Sequence, residues 1–188
     1  MPTLQIIIAS TRPGRVGLPV GRWFESRARA HGAFDVEVSD LAEIALPFMD
    51  EPNHPRLRQY TQEHTRAWSA RIEASDAFAF VMPEYNHGLT APLKNAIDYL
   101  HQEWLYKPVG LVSYGGVAAG TRAAQMVKQV VLAVKMTPLF ETVAIPFVAQ
   151  FVDDEGAVQA NEVMEQAADT MLDELVRVEA ALAPLRAG

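Results

Sequence analysis

The chain has 188 residues, 49% of them hydrophobic and 21% charged, which is the balance of one ordinary globular domain. Its formal net charge is −7, so the chain lacks the surplus of basic residues that a nucleic-acid backbone attracts. It has no cysteine, which excludes disulfides, thiolate metal sites and redox chemistry on a cysteine pair. A redox protein of this composition would need a bound organic cofactor.

The N-terminus has no positively charged stretch, and its apolar run is too short for a signal sequence. No part of the sequence approaches the ~20 apolar residues of a membrane span. We therefore expect a cytoplasmic protein, one domain over residues 1–188, that binds neither membrane nor nucleic acid.

The first half of the chain alternates apolar runs with helical patterns. Residues 4–8 are nearly all apolar and predict a strand buried on both faces. A helix with apolar residues near positions 20–28 follows and ends at Gly32. Residues 34–38 alternate apolar and charged side chains and predict a second strand. After a proline-containing polar stretch, a second helix is marked at steps of four by Tyr60, His64, Trp68 and Ile72.

The second half continues this alternation. Strands are predicted at 77–82, 109–113 and 141–145, and helices at about 91–104, 121–136 and 161–185, the first of these capped by Thr90. Five strands alternating with five helices predict a parallel sheet with helices on both faces. We expect a flavodoxin-like three-layer α/β sandwich with strand order 2-1-3-4-5.

Three loops form the candidate ligand site. Ligands of open α/β sheets bind beyond the carboxyl ends of the strands, where the strand order reverses. In the order 2-1-3-4-5 that edge carries the loops after strands 1, 3 and 4, at residues 10–17, 83–88 and 114–120. These loops hold an unusual concentration of glycine, hydroxyl, aromatic and arginine side chains.

The first loop has the donors that a phosphate monoester needs. Ser10 and Thr11 supply hydroxyls, and the next helix directs its positive end at the loop. Arg12 and Arg15 can add charge-assisted hydrogen bonds to a dianion. The alternative is an ordinary strand-to-helix turn with two exposed arginines, because Ser, Gly and Pro are common in turns.

The second and third loops suit a planar ring. Tyr85 offers a face for stacking and Gly88 permits close approach, although Tyr85 and His87 are also explained as surface or interface residues. Glu84 is a candidate general base, with a solvated carboxylate as the plainer alternative. The sequence lacks a G-x-G-x-x-G after the first strand, and after Gly115 and Gly120 the pair Thr121-Arg122 replaces the Lys-Thr order that a Walker motif needs.

Residues 9–15, 83–88 and 113–116 together resemble the three signatures of the NADPH-dependent FMN reductase family, which includes small quinone, azo and metal-ion reductases of flavodoxin-like fold. The resemblance covers nearly the whole chain in element order, with Ala9 where the family usually has glycine. It implies that the first loop holds the FMN phosphate and that the other two flank the isoalloxazine ring. The predicted cofactor-binding residues are Ser10, Thr11, Arg12, Arg15, Val16, Gly17, Pro83, Glu84, Tyr85, Asn86, His87, Ser113, Tyr114, Gly115 and Gly116.

The resemblance implies an enzyme whose chemistry belongs to FMN, with no catalytic side chain and no metal. FMN would take hydride from NADPH or NADH and pass two electrons to quinones, free flavin or similar acceptors in a ping-pong cycle. The alternatives are a flavodoxin-type electron carrier without NAD(P)H turnover, a phosphate-handling enzyme that uses Asp40, Asp50 or Glu84, and a cofactor-free dimer. Arg12 and Arg15 argue against the carrier, whose first loop lacks arginine.

We also expect a homodimer, with a tetramer as the larger assembly. The third predicted helix and the segment after it are expected to have more apolar surface than one sheet face needs, in Leu93, Ala96, Ile97, Leu100, Trp104 and Tyr106. The family resemblance indicates the same, with each flavin near the subunit boundary.

Overall fold

A computed structural model describes residues 1–186, so the last two residues of the predicted domain, 187 and 188, lie outside the described residues. Five strands form one parallel sheet in the order β2-β1-β3-β4-β5. The predicted flavodoxin-like architecture is therefore confirmed. The strands are β1 (Thr3–Ile8), β2 (Asp35–Asp40), β3 (Ala77–Pro83), β4 (Pro108–Tyr114) and β5 (Thr137–Ile145).

Helices cover both faces of the sheet. On one face α1 (Gly17–His31) and α6 (Glu162–Arg186) pack on the even-numbered side chains of β1, such as Leu4 and Ile6. On the other face α3 (Glu63–Glu73), α4 (Ala91–Asp98) and α5 (Thr121–Ala133) pack on Ile7 and on the phenylalanines of β3. The short α2 (Leu41–Ile44) follows β2, and 3₁₀ turns occur at Pro55–Leu57, Gln102–Trp104 and Val148–Phe151. Apolar runs that are continuous in β1 and β3 thus reflect burial on both faces.

Two element boundaries differ most from the prediction. Helix α4 ends at Asp98, and Trp104 lies in a separate 3₁₀ turn. The chain folds back here, so that the Trp104 indole N–H donates to the carbonyl of Ile97 at 3.1 Å and its ring packs against Trp68. Strand β5 starts at Thr137, four residues early, and its pairing with β4 shifts register between Val109 and Leu111, where the extra residues lie in β5.

Five of the six apolar residues assigned to a subunit contact, Trp104 among them, are buried inside the protomer, and the sixth, Tyr106, is half-buried. Leu93, Ala96, Ile97 and Leu100 are all buried inside the protomer, in the hydrophobic cluster that α4 forms with the sheet. The prediction that these side chains form an interface is wrong, because all of them are buried against one face of the sheet and Trp104. None of the helices within residues 1–186 is long and apolar enough to cross a membrane.

Candidate functional site

The three predicted loops meet at the carboxyl edge of the sheet, because β1, β3 and β4 are adjacent strands. They enclose two adjoining clefts of about 160 Å³ and about 400 Å³, which share Glu84 and Gly115. Cavities of this combined size suit a small organic ligand. Eleven of the predicted residues line the clefts: Arg12, Arg15, Val16, Pro83, Glu84, Tyr85, Asn86, His87, Tyr114, Gly115 and Gly116.

The other four predicted residues lie outside these clefts. Ser10 and Ser113 are buried behind the loops, as is Gly17 at the start of α1. Thr11 lines a separate groove of about 440 Å³ between α2 and α4, which is mostly apolar. A sequence pattern locates these residues in the loops but does not show which side of a loop faces the cleft.

A tight turn shapes the first loop. The Arg15 amide donates to the Arg12 carbonyl at 3.2 Å, and Pro13 and Gly14 occupy the two central positions. Gly14, the third residue of the turn, has φ +68°. A type II turn requires a positive φ at this position, and glycine adopts it without strain. The turn leaves the Arg12 side chain exposed, without an ion pair to any residue in 1–186.

Arg15 points back across the loop and pairs with Asp40, the last residue of β2. Asp40 also caps α2 by accepting a hydrogen bond from the Ala42 amide at 3.0 Å. The Arg15 Nε remains buried without a partner among the described residues. Arg15 therefore has a fixed position beside the cleft and keeps a free donor. The sequence analysis missed this pair, although the β1–β2 register places Asp40 opposite Ile8, two residues before the first loop.

The second loop is a stiff hairpin turn. Tyr85 and Gly88 exchange two backbone hydrogen bonds, of 3.0 Å and 2.9 Å. Asn86 and His87 have φ values of +49° and +68°, the pair of positive angles that defines a type I′ turn. Asparagine tolerates this conformation better than histidine, so His87 carries backbone strain at the exposed tip. The turn places Tyr85 at the edge of the cleft with its ring partly exposed.

Glu84 joins the second loop to the helix that follows the third. Its carboxylate pairs with the Arg122 guanidinium and accepts the Arg122 amide at 3.1 Å, in the first turn of α5. Burial raises the pKa of Glu84, but the hydrogen bonds from Arg122 outweigh it and hold that pKa below its usual value. The carboxylate is therefore ionised and fully engaged. The geometry gives no support to Glu84 as a general base.

The third loop folds back on the end of β4. The Ser113 hydroxyl donates to the Ala119 carbonyl at 2.9 Å, and Gly120 has φ +77° where it leads into α5. A Cβ at Gly120 would lie 2.9 Å from the Tyr114 backbone, so only glycine fits this return. Gly116, by contrast, has open space around it and faces the larger cleft. Within residues 1–186 no three His, Asp or Glu side chains lie close enough together to hold a metal ion.

A doubly wound sheet that gathers an arginine-bearing loop and two ring-sized clefts at its carboxyl edge defines a flavodoxin-like protein. Residues 2–150 match the model of the NADPH-dependent FMN reductase family, and the chain belongs to that family. The resemblance stated from the three motifs is confirmed. The protein is thus an NAD(P)H-dependent oxidoreductase that uses FMN.

Individual relatives agree with this assignment. The chain is 36% identical over 155 residues to an NAD(P)H-dependent FMN reductase of Nectria sp, covering 79% of this chain and 77% of the relative. It is 38% identical over 149 residues to an NAD(P)H-dependent FMN reductase of Schizosaccharomyces pombe, covering 77% and 74%. Among solved structures, the flavoenzyme NAD(P)H:(acceptor) oxidoreductase FerB of Paracoccus denitrificans superposes with a TM-score of 0.78 at 22% identity, over 97% of this chain and 99% of that one. The last comparison supports the fold.

Proposed function

We propose that the protein binds FMN across the two clefts and passes electrons from NAD(P)H to a quinone, free flavin or similar small acceptor by a ping-pong cycle. The observation that carries this proposal is the joining of the Arg12–Arg15 loop to the Tyr85 and Gly115 loops around one space. When bound, FMN supplies the two-electron chemistry, accepting hydride from nicotinamide and delivering it to the acceptor. The protein holds the cofactor and leaves part of it accessible.

The first loop fits the phosphate of FMN. Arg12 is exposed and unpaired within residues 1–186, and Arg15 keeps a buried Nε without a partner. Two guanidinium groups beside the N-terminus of α1 match the charge and the acceptor oxygens of a phosphate dianion. Nothing lies within 4 Å of a Cβ built at Gly14, so a phosphate can approach the backbone there.

The second and third loops fit the isoalloxazine ring. Tyr85 and Pro83 supply flat surfaces for stacking, and the open backbone at Gly116 in the adjoining cleft permits close approach of the ring. The stiff turn at 85–88 keeps Tyr85 in place without help from the ligand. With loops against one face of the ring, nicotinamide and a flat acceptor must use the other face in turn.

This shared face leads to a kinetic test. Initial rates at several fixed acceptor concentrations should give parallel double-reciprocal lines, the pattern of a ping-pong cycle. Tyr85→Ala should slow turnover more than His87→Ala, because Tyr85 lines the cleft that the arginines share and offers a flat ring for stacking, whereas His87 lines the other cleft from the exposed tip of the turn. Intersecting lines would show that donor and acceptor bind together, and they would exclude the shared face.

We further propose one FMN-binding domain, since both hydrophobic clusters share the single sheet. The homodimer, the larger tetramer and the cytoplasmic location stay predictions. With the α4 residues buried, the apolar side chains open to a second subunit include Phe48, which is 83% exposed, and Val117, which is 80% exposed. Sedimentation at micromolar concentration tests the dimer, and a monomer there would remove it.

A further inference from the structure

Tyr114 touches all three loops of the site. It is the last residue of β4, and the third loop begins at the next residue, Gly115. Its carbonyl accepts a hydrogen bond from the Glu84 amide at 3.3 Å, which ties it to the second loop. Its hydroxyl donates to the Ser10 Oγ at 3.1 Å, which ties it to the first loop across 104 residues of sequence. Among the hydrogen bonds of residues 1–186, no other residue that lines the clefts bonds to both the first and the second loop from outside them.

The bond between Tyr114 and Ser10 is buried and enclosed. Both residues are almost inaccessible to solvent, at 3% and 1% exposure. A Cβ at Gly17 would overlap both the Ser10 Oγ and the Tyr114 hydroxyl, so the first residue of α1 has to be glycine for the bond to form. Burial also raises the pKa of the Tyr114 hydroxyl, which therefore keeps its proton and remains a donor at any working pH.

We propose that Tyr114 is a positioning residue, whose hydroxyl sets the first loop for the FMN phosphate through Ser10. The inference rests on the proposed FMN site, and it gives Ser10 an indirect part in phosphate binding. Strand β1 ends at Ile8, and the chain then passes Ser10 and reaches Arg12 only two residues later, so a shift of Ser10 moves the arginines relative to the ring loops. The same hydroxyl thereby fixes the distance between the phosphate end and the ring end of the site.

Loss of the Tyr114 hydroxyl should affect the binding of FMN and of riboflavin differently. Riboflavin has the ring of FMN without its phosphate, so it reports on the ring loops alone. Tyr114→Phe keeps the buried ring and removes only the hydroxyl, leaving Ser10 without its partner. We expect the affinity for FMN to fall by about tenfold, the size of one ordinary hydrogen bond, while riboflavin binding changes by less than about threefold.

The experiment titrates FMN and riboflavin into the full-length protein freed of flavin, following quenching of flavin fluorescence. The variants are Tyr114→Phe, Ser10→Ala and the double variant, with Tyr60→Phe as the matched control. Tyr60 also donates a partly buried hydroxyl hydrogen bond, to Glu103 at 2.7 Å, and it lines neither cleft. The control should lower the midpoint of urea unfolding and leave the ratio of FMN to riboflavin affinity unchanged. Because the two hydroxyls act as one unit, the double variant should lose no more FMN affinity than the stronger single variant.

The outcomes separate this inference from the function on which it rests. A wild-type protein that binds riboflavin as tightly as FMN has no phosphate site, and both proposals fall. Suppose that the wild type prefers FMN but Tyr114→Phe weakens the binding of FMN and riboflavin equally. The hydroxyl then acts on the ring, and only the positioning role is overturned. Additive losses in the double variant would also overturn it. A lower affinity ratio with non-additive losses supports it.

Discussion

The pair formed by Arg15 and Asp40 makes the two arginines of the first loop unequal. Replacing Arg12, which has no ion pair within residues 1–186, removes charge-assisted hydrogen bonds to the FMN phosphate. Bonds of that kind are worth about 1.5–3 kcal/mol, or about ten- to a hundredfold in dissociation constant. Arg12→Ala should weaken FMN binding by that amount and leave riboflavin binding nearly unchanged.

Replacing Arg15 does more than remove a donor. It leaves the carboxylate of Asp40, which is 7% exposed, unpaired beside the anion. As a scale for this repulsion, two unit charges at a separation of about 8 Å repel by about 2 kcal/mol at an effective dielectric constant of about 20. Arg15→Ala should therefore weaken FMN binding by about 2 kcal/mol more than Arg12→Ala does.

The double variant Arg15→Ala/Asp40→Asn isolates this repulsion, because the amide removes the charge and still has an oxygen to cap α2. Titration of FMN into the three variants should place the double variant close to Arg12→Ala, with riboflavin as the phosphate-free reference. If Arg15→Ala costs no more than Arg12→Ala, or if Asp40→Asn restores nothing, then Arg15 and Asp40 do not act on the phosphate as described.

Three further predictions concern stability. His87→Gly should raise the free energy of unfolding by about 0.5–1 kcal/mol, since Asn-Gly is the favoured pair of a type I′ turn; a loss in urea unfolding would contradict the strain at φ +68°. Thr90→Ala should lower the free energy of unfolding by about 1–2 kcal/mol, because this hydroxyl caps α4 by accepting from the Leu93 amide and also donates to the Ala9 carbonyl. A loss below about 0.5 kcal/mol in urea unfolding would refute it. Burial lowers the pKa of Lys107 to about 8, below its value in the unfolded chain. The protein should therefore gain stability from pH 8 to about pH 10 relative to Lys107→Met, and parallel pH profiles would disprove this.

Local patterns in the sequence carried most of the fold. Continuous apolar runs located β1 and β3, since strands buried on both faces have no polar side, and Thr90 marked the start of α4 as its cap. The end of α4 could not be predicted from the sequence, because it depends on the packing of Trp104 against residues far away in the sequence. The same limit explains the wrong interface: the sequence shows that Leu93 and Ile97 are apolar but not what covers them.

For the candidate site, the sequence predicts which residues lie there but not the contacts between them. Strand order alone brings the three loops together, so their residues could be named from the sequence. The contacts inside the site join residues that are distant along the chain, as in Arg15 with Asp40, or Ser10 with Tyr114. Such pairs depend on strand register and side-chain direction, which single-sequence patterns do not specify.

The central claim is that this chain holds FMN and accepts electrons on it from NAD(P)H. The most direct test is the visible spectrum of the full-length protein loaded with FMN, recorded without oxygen before and after addition of NADPH or NADH and with no acceptor present. We predict that the yellow absorbance of the flavin disappears with at least one of the two nicotinamides and returns when a quinone is added. A protein that binds FMN but stays yellow with both nicotinamides would contradict the account and identify a carrier instead.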